Sequence, residues 1–532
     1  MTRKTSLVSV VVALVVATAV AADEGEKIGQ VRFPVSCAPA VQKPFERAVA
    51  LLHSFWYLEA AKAFTQIAQA DPDCAMAYWG LAMTNWTQIW SPPPPAALKR
   101  GAEAVEKAKG VRRTLPPREG DFVAAAEAFF KDADKADHRT RALAYGRAME
   151  QMAQRYPDDR EVMAFYALSL QAIADPRDKT YANQKRSAQI AEKIFAAEPD
   201  HPGAAHYMIH GYDYPALAQQ GLPAARRYAQ FAPSVPHALH MPSHIYVLLG
   251  MWPDTVKSNI AAAAAEKSRG NPDDHMHALD YLVYGYLQQA QDAQAKKVVD
   301  EARAIMADLA ARAYDSGRPT AHFAMAAIEA RWAMERGKWT EAAAIDPRPN
   351  RFPHTESIIY FARAIGAARS GDAARARGDV DRLAALKDLM KDAYWAEQIE
   401  IQRRAAAAWT ARAEGKGDEA SALMGSAVEL EASTEKHNIT PGPIVTAREL
   451  LGDMLMEAGQ PGPAGQAYEA SLRVAPNRFK ALYGVAKAAE RAGDREKART
   501  YYGRLLATAA SADSQRPELV EEIGRASCRE RV

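Results

Sequence analysis

Near the carboxyl end of the chain the same residues return at one fixed distance. Gly459, Ala464 and Tyr468 reappear 34 residues later as Gly493, Ala498 and Tyr502. The middle of the chain repeats with the same step: His206 and His210 are followed by His240 and His244, each again 34 residues on. A period of 34 belongs to helical hairpins stacked in series, because one hairpin cannot bury its apolar face alone and must pack on its neighbours. The predicted fold class is therefore all-α, a superhelical solenoid of antiparallel helix pairs. At this spacing about a dozen pairs fill residues 41–506.

In one unit Leu451-Gly452, Gly459, Ala464, Tyr468 and Pro476 sit at fixed offsets, and the next unit repeats Gly493, Ala498 and Tyr502. On these residues the chain resembles the tetratricopeptide repeat family, a fold of stacked helix pairs with a concave groove. The first unit, about 41–74, fits the same pattern through Ala60, Phe64 and Pro72: the small residue lets paired helices approach and the proline ends the second one. Units that depart from the period do so at loops with turn chemistry, namely 91–95, 174–179, 268–274 and 347–353. Aromatic residues gathered in the first two units, among them Phe55, Trp79, Trp86 and Trp90, read as interhelical packing and an end cap, with ligand stacking by Trp79 and Trp86 as the alternative.

The amino terminus carries Arg3 and Lys4, an apolar run from Leu7 to Val16, and Ala19-Val-Ala21. This is the three-part pattern of a secretory signal peptide over 1–21, cleaved near Ala21. No later segment approaches a membrane span, so the mature chain is expected to be soluble and periplasmic or extracellular. In an oxidising compartment Cys37 and Cys74 are the natural disulfide pair, with two buried free thiols as the alternative, and Cys528 is left over. Residues 22–40, with Pro34 inside a loosely alternating run, read as an extended strap. Residues 507–532 read as a disordered or non-native tail, ending in a stretch from Gly524 to Val532 with no helical period. The charge is balanced, 67 basic against 65 acidic residues, so no one-signed field draws in nucleic acid.

Seven of the 13 histidines lie between Pro202 and Leu287. The resemblance implies that the second, fifth, ninth and twelfth positions of each first helix line the groove. With Pro202, Pro236 and Met276 as first positions, the fifth are His206, His240 and Asp280 and the ninth are His210, His244 and Tyr284. The second positions add His237 and His277, and the twelfth adds Asp213. Imidazoles one helical turn apart can share one divalent cation, and helices about 10 Å apart let side chains from both converge. The candidate metal ligands are His206, His210, His240 and His244, with His277 and Asp280 completing the set, and His237, Asp213 and Tyr284 as further groove residues. Zinc is the first expectation and copper or iron the alternative. The second reading is an interaction scaffold whose groove holds a peptide or a partner protein. A zinc protease is disfavoured because Tyr207 stands where its helix would carry a glutamate. His53, His354 and His437 read as surface or capping residues.

Overall fold

The computed structural model describes residues 25–87 and 89–520; the expected signal peptide and the ending with Cys528 lie outside them. Twenty-five α-helices run from Gln42 to Thr508, with no strand among the described residues. Pro236–His240 and Pro242–Leu248 are one rod interrupted at Met241, which keeps helical angles (φ −53°, ψ −36°), while Pro242 has no N–H to give to the turn before it. Counted as one, they leave 24 helices in twelve consecutive pairs. None of the described helices is long and apolar enough to cross a membrane.

Pair stacks on pair through an aromatic ring set against glycines. A Cβ placed on Gly452 would meet the Tyr468 ring at 2.6 Å, and one on Gly484 would meet the same ring at 2.6 Å. Tyr468 thus joins its own pair to the next. Phe64 does the same against Gly80, where a Cβ would come to 2.4 Å, and Phe130 against Gly101, at 2.1 Å. The ring needs that depth, so any larger residue would push two helices apart.

The array closes on itself. Arg478, in the turn before the helix Phe479–Arg491, is fully buried and donates to Glu449, to Glu335 at 2.7 Å and to the Tyr284 hydroxyl at 2.7 Å. The Trp252 indole donates to the Asn477 carbonyl at 2.8 Å, so the last pairs are anchored on the middle of the chain. Part of the expected tail shares this closure: Arg516 pairs with Asp292 at 3.1 Å, and Asp513 accepts from the Ala293 amide at 2.8 Å, which orders residues that have no repeat pattern of their own.

The amino-terminal strap lies along the first pairs. The Gln30 amide donates to the Asp200 carbonyl at 2.9 Å, and Phe33 is buried against Phe45, Trp79 and Phe122. Cys37 and Cys74 are joined in a disulfide, which ties the strap to the start of the second pair.

Replacing Arg478 by leucine leaves the carboxylates of Glu335 and Glu449 buried without their cation, a loss of about 3–5 kcal/mol. Chemical denaturation of Arg478→Leu against the wild type measures it, and a loss below about 1 kcal/mol would show that this closure holds little.

Candidate metal centre

The helix Pro202–Gly211 is buried along its whole length, including both of its histidines. His206 and His210 stand one turn apart and meet His237, which comes from the start of the next pair. One pair further on, His240 and His244 meet His277 of the helix Pro272–Gln288 in the same way. Within each set of three, one ligand nitrogen per residue lies within 4.8 Å of the others. The two triads touch: the His210 and His244 rings are 5.7 Å apart, and those of His237 and His240 are 6.1 Å apart. The repeat has copied a three-histidine set and placed the copies side by side.

Hydrogen bonds fix which nitrogen each ring presents. The His206 Nδ1–H donates to the His53 carbonyl at 2.7 Å. The His240 Nδ1–H donates to the Asn259 Oδ1 at 2.7 Å, while the Asn259 amide N–H donates to the Thr255 carbonyl at 2.8 Å, which sets its orientation. The His244 Nδ1–H donates to Asp213 at 2.9 Å. With Nδ1 committed as donor, neutral imidazole keeps a lone pair on Nε2. The Nε2 atoms of His240 and His244 face each other at 3.1 Å, so two lone pairs point at one spot. Those of His206 and His237 are 3.2 Å apart. Two nitrogens bound to one ion at 2.0–2.1 Å in tetrahedral geometry stand about 3.3 Å apart, close to both separations.

A proton could also fill such a gap, but burial works against it. Burial holds His206 down to about 3 and His240 down to about 4, and it pushes His210, His237, His244 and His277 well below the usual imidazole range, with Lys436 adding to the effect on His210, His240 and His244. His210 is the extreme case: neither of its ring nitrogens has a hydrogen-bond partner, although the residue is buried. The Tyr281 hydroxyl lies 3.4 Å from the His244 Nε2. Phe55 and Trp90 wall the first triad, with the Phe55 ring 4.3 Å from His206 and the Trp90 ring 4.9 Å from His210. Phe55 is held at φ 54°, a left-handed angle that costs a bulky residue energy and recurs beside functional sites. Trp79 and Trp86, by contrast, are buried in the core.

A third cluster shows what a satisfied set looks like. Glu161 accepts from the His53 Nε2–H at 2.8 Å and from the His201 Nε2–H at 3.1 Å. The Tyr207 hydroxyl donates to the His53 Nδ1 at 2.8 Å, and the Ala204 amide donates to the His201 Nδ1 at 3.1 Å. Every nitrogen has one partner of the right kind, so this network needs no ion. It backs the first triad, because the same His53 supplies the carbonyl that orients His206.

Several expected residues take other places. Asp280 does not face the imidazoles; it pairs with the fully buried Arg331 at 3.2 Å, a cation that requires a counter-charge there. Asp213 orients His244 instead of lining an open groove, and its second partner is Lys436 at 2.7 Å. Burial pushes the Asp213 carboxyl up to about 6 against the pull of Lys436. Tyr284 gives its hydroxyl to Arg478. His237 joins a triad, and the four histidines expected around one ion divide between two sets. Of the histidines read as surface or capping residues, His53 and His354 are buried, while the half-buried His437 caps a turn by accepting from the Ile439 amide at 3.2 Å. Asn259 and Lys436 gave no repeat signal. Asn259 alone had a clue, as a polar residue separated only by Ile260 from a run of alanines in the helix Trp252–Arg269.

No protein-family model matches the chain, and no curated protein does. Among solved structures it is similar to the human IFIT1 dimer with m7Gppp-AAAA, at 12% identity over 82% of this chain and 90% of that one, with a TM-score of 0.40. It is also similar to the human IFIT1 dimer with PPP-AAAA, at 11% identity over 82% and 91%, with a TM-score of 0.38.

Proposed function

We propose that this is an exported protein that binds two transition-metal ions side by side, each held by three imidazoles: His206, His210 and His237 for one, and His240, His244 and His277 for the other. The observation that carries the reading is the pair of Nε2 lone pairs of His240 and His244, opposed at 3.1 Å in a buried site where both Nδ1 atoms are already spent as donors. Export draws its support from the amino-terminal pattern and the Cys37–Cys74 disulfide.

Three protein ligands leave a coordination position open, as in catalytic sites, whereas structural sites are closed by four. On the second triad the Tyr281 hydroxyl, 3.4 Å from the His244 Nε2, would be available to a molecule bound there. Among the ions that imidazole suits, copper fits better than zinc. Nitrogen sites bind copper(II) more tightly than zinc(II), and copper is also stable as a monovalent ion. Among the described residues the only carboxylate hydrogen-bonded to either triad is Asp213, itself shared with Lys436, and Asp274 acts on His240 and His277 through space, so two adjacent divalent ions would bury more charge than these carboxylates offset.

An open groove for an extended peptide is the less favoured reading. The chain's own segment after Ser433 reaches the inner wall, where Lys436 takes Asp213 and the carbonyls of Gly442 and Pro443 take Arg331 at 2.8 and 3.0 Å.

Protein made without a polyhistidine tag and reconstituted with copper is expected to hold about two ions per chain by elemental analysis, and His240→Ala to hold about one. Metal below about 0.2 per chain in the wild type, with a thermal midpoint that chelator leaves unchanged, would contradict the reading. A pH dependence follows as well. Above pH 6.5 the triad histidines are neutral both folded and unfolded; below it the unfolded chain takes up protons that the folded one refuses. Metal-free protein should therefore lose stability as pH falls from 6.5 towards 4, by about 1.4 kcal/mol per pH unit for each histidine so held. Urea midpoints of chelated protein measure this, and a flat profile from pH 7 to 5 would show that the triads accept protons freely.

A further inference from the structure

Beyond the Lys436 side of the metal centre lies a cavity of about 430 Å³, between the helices Pro353–Arg369 and Ala393–Ala413 and the segment after Ser433. Its volume is that of a small-molecule site. Phe323, Ile358, Trp395 and Ile399 supply apolar wall. The polar side chains that line it are unusual in one respect. Both ring nitrogens of His354, the Gln398 Nε2, the Gln402 Oε1 and the Thr434 Oγ1 are buried and have no hydrogen-bond partner, and all four residues face this one space. Buried polar groups are costly when left unmet, so such a cluster around a single cavity marks where a bound molecule supplies the partners.

The unmet groups also define what would meet them. Gln398 offers a donor and Gln402 an acceptor, while Thr434 offers either. His354 stacks on Trp395 with ring centroids 4.4 Å apart, and burial holds it down to about 4, so at neutral pH it presents one donor and one acceptor and no charge. Four of the acidic and basic lining groups are already engaged: Lys179 donates to Glu435 at 2.8 Å, Lys436 donates to Asp213 at 2.7 Å, and Glu431 accepts from the Ala447 amide at 3.0 Å. Arg448, half-buried, and Arg473, exposed, also line the cavity.

We propose that this cavity binds a small, uncharged, planar aromatic compound whose edge carries both a hydrogen-bond donor and an acceptor, met by Gln398, Gln402, Thr434 and His354. The site contains no member of either triad, so the proposal stands independently of the metal reading.

Calorimetric titration of the full mature chain with benzamide, toluene and benzoate separates the possibilities. Benzamide has the ring and both kinds of hydrogen-bonding atom, toluene has the ring alone, and benzoate adds a charge that Arg448 and Arg473 could take. Saturable binding of benzamide is expected, at least about tenfold tighter than either of the others. Gln398→Leu and Thr434→Val should each weaken benzamide about tenfold or more, while the thermal midpoint of the free protein holds or rises, because an apolar isostere removes an unmet group. The midpoint confirms folding and separates loss of a partner from loss of structure. No saturable binding of benzamide, toluene binding as tightly, benzoate binding more tightly, or unchanged affinity in both variants would each overturn the proposal.

Discussion

An aromatic ring wedged between two glycines sets the step from one helix pair to the next. Tyr468 fills the notch left by Gly452 and Gly484, and Phe64 and Phe130 fill theirs against Gly80 and Gly101. Because the notch has a fixed depth, successive first helices stand at a repeatable offset, and residues 34 apart come to equivalent places on the inner wall. The two histidine triads are a product of that geometry. A pair of histidines one turn apart, with a third from the start of the following pair, needs only to be encoded twice to give two equivalent sets in contact.

What the triads do chemically depends on what lies behind them. The His53 carbonyl, Asn259 and Asp213 each take an Nδ1 proton, so three rings are locked with Nε2 facing inward. The His53, Glu161 and His201 network is also rich in histidine and is buried throughout, yet its donors and acceptors close on one another. Histidine content alone would not tell the two apart. The difference is one of proton bookkeeping: in one cluster every lone pair has a donor, and in the other two lone pairs converge.

The repeat period was enough to read the all-α class and the number of helix pairs, because small and aromatic residues must recur wherever pairs stack. The same register brought the six triad histidines, with Asp213, to one face. It could not sort them. His237 and His277 stand at the second position of their helices and looked ancillary, and only the packing of neighbouring pairs shows that each completes the set of the pair before it. Asp280 shares the register of His206 and His240 but is claimed by Arg331, which comes from a helix outside the histidine-rich stretch. Contacts made by chain closure were equally hidden, since nothing local ties Lys436 to Asp213 across 223 residues or Arg478 to Tyr284 across 194.

Occupation of both three-histidine sets by an ion each is open to direct observation. Anomalous diffraction at the copper edge, from crystals of the tag-free protein grown with copper, tests it most directly. Two peaks are expected, each about 2.0–2.1 Å from ring nitrogens of its own triad. A single peak shared by His206, His210, His240 and His244, or no peak between the rings at all, would contradict it.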